Sequence, residues 1–365
     1  MAIPFLSLKA LNQPYTAELE AVFHQFLDRG FYMLSDRVKQ FEDEFAAFCS
    51  APFCVGVANG LDAIELILQS LELEKGAEVI VPANTYYATI LAVLNAGMTP
   101  VLVEPDPHTF LLDAETAEKA VTEKTAALLA VNLYGKMCDY DALSALARKY
   151  NLKLITDAAQ SHGALYKGST DCPGTDAIAY SFYPTKNLGA LSDAGAVITR
   201  HEALARSVRA RRNYGSEVRY QFDYLGKNSR LSELQAAFLS VKLNHLNRET
   251  ERRRALAARY LSEIKNEKLV LPPGETAGED AWHLFVIRTR RREDLKVHLQ
   301  NAGIGFDVHY PTPPHRQKAL SFLHPLRFPV TEEIHDTVLS IPLNGTLSDR
   351  DADHIITTLN QFGYV

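Results

Sequence analysis

The sequence predicts an α/β protein built on a mostly parallel sheet, with a smaller α+β domain at the C-terminal end. Three observations carry this prediction. From about residue 56 to 200, apolar strand-like runs alternate with helical stretches at intervals of roughly 25 residues, the spacing of βαβ connections. The run LKLITDAAQS (152–161) is a buried strand with a polar end, where such sheets hold ligands. After LVLPPG (269–274) the alternation stops.

Taken in order, the elements have local reasons. Val38, Phe41, Phe45 and Phe48 recur at helical spacing and predict a helix over Val38–Phe48; the same period continues from Leu61 to Leu73. Short apolar runs predict strands at Glu78–Val81, Thr99–Val103, Ala126–Val131, Lys153–Thr156 and Ala177–Phe182, and AGAVIT (194–199) is another. Helices fall between them at Thr89–Asn95, Ala114–Val121 and Tyr140–Tyr150. One long helical pattern, Leu231–Ile264, is of a length that often joins two domains, and we place the boundary there: a large domain over 1–240 and a small one over 241–365. The small domain is read as a strand in AWHLFVIRT (281–289), then helices at Glu293–Asn301, Thr331–Leu339 and Asp349–Asn360.

Composition excludes several classes. The chain has 365 residues, of which 47% are hydrophobic and 22% charged, as in ordinary soluble enzymes. A net charge of −6 argues against nucleic-acid and anionic-membrane surfaces. The basic runs at 209–212 and Arg252–Arg254 read as solvated helix faces, with a phosphate-bearing small substrate as the alternative for either. Cys49, Cys54, Cys138 and Cys172 show no metal-binding spacing and read as reduced, buried thiols, which points to the cytoplasm. The first residues lack the pattern of a signal peptide, and the most apolar stretch, Tyr86–Val103, is interrupted by Asn95, Gly97 and Pro100. No metal is expected.

Three features carry chemistry together. In VANGLDAIELIL (57–68) a strand ends at Asn59–Gly60 and a helix opens, offering free N–H groups to an anion. Taken alone, this stretch is better explained as an ordinary strand–helix turn, with Asp62 a first-turn acid. Asp157, at the end of a buried strand, is either a helix cap or the partner of a cationic ring nitrogen. Lys186, in SFYPTKNLG (181–189), is either a loop lysine or one that holds a cofactor covalently. A phosphate turn, then an acid, then a lysine is the order of parts that a pyridoxal 5′-phosphate (PLP) site uses.

The chain resembles the DegT/DnrJ/EryC1/StrS family of PLP-dependent sugar aminotransferases. The resemblance runs from IPFLSL and VKQFEDEFAAF through VPANTYYATILAVLNAG, VNLYGKMCDYDAL, TDAAQSHGA and SFYPTKNLG to NSRLSELQAAFLSVKL, VHYPTPPH and VLSIPLNGTLSD. It implies the fold type I architecture, with a seven-stranded sheet flanked by helices. It implies Lys186 as the Schiff-base lysine and Asp157 as the acid at the pyridine nitrogen. Gln160 lies near the ring's 3-hydroxyl, and Tyr86 stacks on the ring. By the same resemblance Gly60, Leu61 and Ser181 are expected to bind the phosphate, and Asn228 to add a phosphate ligand from a partner subunit, which implies a homodimer with shared active sites. Tyr183, His309, Tyr310, His315 and Tyr214 are expected toward the sugar, and His162 close behind the site. His108, His201, His245 and His335 are read as surface or helix residues.

Two positions depart from the common family pattern: Tyr183, where many members have His in S-F-H-P-T-K, and Leu61, where many have Thr or Ser. The combination ANGLDA, PANTYYAT, SFYPTKNLGA and RRNYGS resembles the members that move an amino group from L-glutamate to C3 of a dTDP-3-keto-6-deoxyhexose. The dTDP-3-amino-3,6-dideoxyhexose product would serve surface polysaccharide or glycan synthesis. Amination at C4 of a nucleotide-linked 4-keto sugar and a non-catalytic, PLP-bound regulatory protein are the alternatives. Lys186 argues against the family's dehydratase branch, which has His there, and the lack of a cysteine in the C-terminal half argues against a desulfurase.

Overall fold

The computed structural model describes residues 2–276 and 278–363. Seven strands form one sheet: β1 (Phe53–Val57), β2 (Glu78–Pro82), β3 (Thr99–Val103), β4 (Thr125–Val131), β5 (Lys153–Asp157), β6 (Ala177–Ser181) and β7 (Gly195–Thr199). Their spatial order is β1-β7-β6-β5-β4-β2-β3. Only β7 runs against its neighbours; the other pairings are parallel, as the βαβ spacing predicts. A second sheet pairs β8 (Phe285–Arg288) with β9 (Val338–Ile341).

The helices are α1 (Leu8–Asn12), α2 (Thr16–Arg29), α3 (Asp36–Phe48), α4 (Gly60–Ser70), α5 (Tyr87–Asn95), α6 (Ala114–Lys119), α7 (Tyr140–Tyr150), α8 (Glu202–Arg211), α9 (Glu233–Leu243), α10 (Leu246–Glu263), α11 (Arg292–Asn301), α12 (Pro329–Thr337) and α13 (Asp349–Gln361). Strand alternation divides the large core in two. Leu128, Ala130, Ile178 and Tyr180 face α3, α7 and α9. Ala127, Leu129, Ala177 and Ala179 face α4, α5 and α8. A third core gathers α10, α11 and α13 around the small sheet and includes Ile3. Ile3 is stitched to this region by its N–H on the Gly303 carbonyl (2.8 Å) and by the Gly305 N–H on its own carbonyl (2.7 Å).

The register brings several strand ends to one edge. Val57 pairs with Gly195, which pairs with Ser181. Asp157 pairs with Ala179 and with Val131. The C-terminal ends of β4, β5 and β6 therefore lie side by side, with that of β1 on the same edge beyond β7, where open α/β sheets bind ligands.

The structure corrects three expectations. The pattern over Leu231–Ile264 is two helices, broken at Asn244–His245 by a tight turn in which the His245 N–H meets the Lys242 carbonyl. The expected helix at Thr331–Leu339 ends at Thr337, because Val338 and Leu339 are claimed by pairing with β8. The basic runs are not wholly solvated: Arg212 and Arg253 are buried. Arg212 pairs with Glu42 and donates to the Gly56 carbonyl, and Arg253 donates to three carbonyls of the C-terminal region. Hydrogen bonds through Nη1 offset part of the cost of burying each guanidinium.

Candidate active site

A cavity of about 510 Å3 opens at the shared edge of strand ends. Its walls include Gly60, Leu61, Tyr86, Asp157, Gln160, Ser181, Tyr183, Lys186, His309 and Tyr310, ten of the expected site residues.

The anion end is built by close packing. Asn59 caps α4 by accepting the Asp62 N–H at 2.8 Å, which leaves the Gly60 and Leu61 N–H groups at helical positions that have no intrahelical partner. A Cβ on Gly60 would stand 2.6 Å from the Ser181 Cβ, so the helix can lie against the end of β6 only because residue 60 is glycine. The Ser181 hydroxyl is thereby held beside the positive end of α4.

Asp157 is 7% exposed. Its Oδ2 accepts the Thr89 hydroxyl at 2.8 Å and its Oδ1 the Ala159 N–H at 3.1 Å. Burial still raises its pKa, against these two bonds and the charge of Lys186. A buried carboxylate that lines a cavity, with no cation among the described residues bonded to it, is an acceptor for a cationic group.

Lys186 sits on a turn closed by its own N–H on the Tyr183 carbonyl (2.8 Å) and by the Ala190 N–H on the Phe182 carbonyl (2.8 Å). Gly189 makes the turn possible, since a Cβ there would lie 2.4 Å from the Pro184 carbonyl oxygen. Burial lowers the lysine pKa to about 8, and the charge of Asp157 only partly opposes it. Near neutrality a useful fraction of this amine is therefore unprotonated and nucleophilic.

The opposite wall is a hydrogen-bonded aromatic cluster. Gln160 accepts the Tyr134 N–H at 2.7 Å and donates to the Tyr310 hydroxyl at 2.9 Å, which fixes its amide orientation. The Tyr86 and Tyr310 rings are 5.0 Å apart. His309 holds Ser340 through Nδ1 (2.8 Å), and burial lowers its pKa. The backbone of this loop is pinned by the Tyr134 hydroxyl on the His309 carbonyl and by His335 Nδ1 on the Tyr310 carbonyl.

Three expected residues lie elsewhere. His315 does not reach the cavity: it is fully buried, bonded through Nε2 to Glu332 (2.9 Å) and packed on Phe328. Asn228 and Tyr214 are on the 213–228 loop, outside their own chain's cavity. Lys227 anchors that loop through Asp62 and Glu65, both at 2.8 Å. His162 stands behind the wall against Tyr180 and Phe182, where burial lowers its pKa to about 3 and keeps it neutral. His335, read as a surface or helix residue, is on a helix but buried.

Sequence reasoning missed Thr89, Tyr134 and His283. Thr89 had a signal: it lies three residues after Tyr86, one turn away, at the start of a helix after a strand. Tyr134 and His283 reach the site from distant segments and had none.

A lysine with a lowered pKa, a buried carboxylate with lone pairs to spare and a helix N-terminus beside a hydroxyl fit PLP: one group for the aldehyde, one for the ring nitrogen, one for the phosphate. Among the described residues no cluster suited to a metal occurs, no helix is long and apolar enough to cross a membrane, and the four cysteines are buried and unpaired.

Comparison with known proteins agrees. The profile described as the DegT/DnrJ/EryC1/StrS aminotransferase family matches residues 14–360. The chain is 45% identical to the dTDP-3-amino-3,6-dideoxy-alpha-D-galactopyranose transaminase of Aneurinibacillus thermoaerophilus, over 99% of this chain and 100% of that one. Among solved structures, S. venezuelae DesV superposes with a TM-score of 0.95 at 43% identity, covering 99% and 98% of the two chains. NtdA of Bacillus subtilis, solved with bound cofactor PMP, gives 0.92 at 30% identity over 98% of this chain and 84% of its own.

Proposed function

Because this chain belongs to the DegT/DnrJ/EryC1/StrS aminotransferase family, and is therefore a PLP-dependent enzyme of fold type I, we propose that it moves an amino group from L-glutamate to C3 of a dTDP-3-keto-6-deoxyhexose. The observation that carries the chemistry is the convergence of Lys186, Asp157 and the N-terminus of α4 on one cavity. The C3 position and the dTDP carrier rest on the similarity to a transaminase named for that product.

When bound, PLP supplies an aldehyde carbon and a ring that accepts electrons. The protein's own part is binding and proton transfer. The Gly60 and Leu61 N–H groups and the Ser181 hydroxyl take the phosphate. Asp157 keeps the proton on the ring nitrogen, and Tyr86 flanks the ring. Lys186 accepts the proton from the donor's Cα and returns it to the cofactor's C4′, a task suited to a pKa of about 8. The same groups serve both halves of the exchange, so the kinetics are ping-pong. Replacing Lys186 by Ala is expected to abolish turnover and the cofactor mass that borohydride fixes to the wild-type protein. Sustained turnover by that variant would refute the assignment.

We also propose a homodimer with shared sites, in which Asn228 and Tyr214 enter the partner's cavity. The support is that both lie outside their own, on a loop with highly exposed apolar side chains: Tyr220 (76%), Phe222 (61%) and Leu225 (93%). Mixed dimers of Lys186→Ala and Asn228→Ala chains should regain activity, because one of their two sites is then intact. No recovery on mixing refutes the shared site. The four buried thiols support a cytoplasmic enzyme, and we assign its product to surface polysaccharide or glycan assembly.

A further inference from the structure

A side chamber of about 260 Å3 adjoins the cavity and shares Thr185, His283 and His309 with it. One charge lies in its wall at depth: Arg253, from the middle of α10, only 4% exposed. Its Nη1 donates to the carbonyls of Trp282 (3.1 Å), His283 (3.3 Å) and Leu343 (2.9 Å). The three N–H donors on Nε and Nη2 lie beyond these bonds, and no carboxylate among the described residues is bonded to the guanidinium. Glu249, the acid whose field it feels, bonds instead to the Tyr15 hydroxyl at 2.8 Å. Elsewhere the chamber is mostly apolar, with Phe5, Leu6 and Leu343 in its lining. Asp307 stands at the rim with its side chain 59% exposed, and its Oδ1 accepts the Val308 N–H at 2.7 Å.

From this juxtaposition we infer that the chamber is the subsite for the side-chain carboxylate of the amino donor, with Arg253 as its counter-ion and the specificity-determining residue. The inference rests on the aminotransferase reading above. Its basis is a buried cation without a bonded carboxylate among the described residues, in the wall of a space that shares Thr185, His283 and His309 with the cavity of Lys186. Size favours the donor over the sugar nucleotide. The chamber holds the short arm of an amino acid, whereas a nucleoside diphosphate must also place its sugar over Lys186 in the main cavity. Burial lowers the Arg253 pKa to about 10, so it stays cationic at neutral pH.

The half-reactions separate the two substrates. Holoenzyme is mixed with L-glutamate, and the aminated enzyme separately with keto-sugar nucleotide, each followed by cofactor absorbance in stopped flow. In Arg253→Gln the apparent Kd for L-glutamate should rise roughly 10- to 100-fold, the loss of a charge-assisted hydrogen bond. Arg253→Lys should fall between, and both variants should keep the keto-sugar constant within about twofold. Equal weakening of both half-reactions would make Arg253 a clamp on the three carbonyls and overturn the inference. An unchanged glutamate Kd would also overturn it and leave the aminotransferase reading standing. If neither variant folds, the wild-type enzyme decides: a roughly tenfold or greater preference for L-glutamate over L-glutamine supports the subsite, and equal use sinks it. Failure of the wild-type enzyme to react with L-glutamate would refute the donor assignment itself, and the subsite with it.

Discussion

Replacing Thr89 by Val tests how Asp157, the acid proposed for the cofactor's ring nitrogen, is kept ionised. The substitution keeps the shape and removes one hydroxyl. In the structure that hydroxyl donates to Asp157 Oδ2 at 2.8 Å, and the carboxylate's other hydrogen bond is the Ala159 N–H at 3.1 Å. A hydrogen bond to a charged group contributes about 1.5–3 kcal/mol, or roughly 10- to 100-fold in an equilibrium constant. The loss falls on the ionised form of Asp157, whose pKa burial has already raised. The variant's carboxylate therefore takes a proton at a higher pH than the wild type's, and the proposed ion pair with the ring nitrogen should weaken. The Thr85 hydroxyl, 2.8 Å from that of Thr89, loses its neighbour as well. PLP titrated into apoenzyme, followed by absorbance across pH 5–8, reads the effect directly. Affinity should fall by about one to two orders of magnitude, and its decline toward acid pH should begin earlier than in the wild type. Affinity within about twofold of wild type, with an unmoved acid limb, would show that Thr89 does not support the charge.

Two further predictions follow from the same geometry. The rate at which apoenzyme captures PLP covalently should climb with pH through a midpoint near 8, because the Lys186 amine is reactive only when neutral and its pKa is lowered from 10.5; a midpoint near 10.5 in stopped-flow absorbance would refute the burial argument. His315→Leu removes a buried bond to Glu332 and should cost about 1–2 kcal/mol in thermal unfolding, with both Michaelis constants unchanged; altered constants at unchanged stability would return His315 to the substrate.

Much of the fold was legible because strands and helices announce themselves by period. Thr99–Val103 and Tyr140–Tyr150 have the bounds that the sequence predicted. The break at Asn244–His245 was not legible, since neither residue is a strong helix breaker and the turn is set by tertiary contacts: His245 stacks on Tyr15 (4.8 Å) and meets Glu18 (3.1 Å). In the site, residues within one motif were read together: Gly60 with Leu61, Asp157 with Gln160, Ser181 with Lys186. Missed partners arrive across long separations, as Tyr134 does at Gln160, and nothing local marks them. Arg253 shows the limit from the other side. A run of three arginines looks like a wetted face until the third dimension sends one of them inward.

The stitching of Ile3 to Gly303 and Gly305 sets a timetable for synthesis. Residues 3–6 are made before their partners, which follow about three hundred residues later. At translation rates of about 5–20 residues per second, that gap lasts roughly 15–60 s. Phe5 and Leu6, which wall the chamber in front of Arg253, have no seat during that interval. β1 waits in the same way for β7, which is made after β6 but inserts between β6 and β1. The sheet edge that gathers Gly60, Asp157 and Lys186 can be complete in the nascent chain while the chamber beside it is still open. The lysine's surroundings are thus finished from the sheet outward, and the wall supplied by Phe5 and Leu6 closes after it.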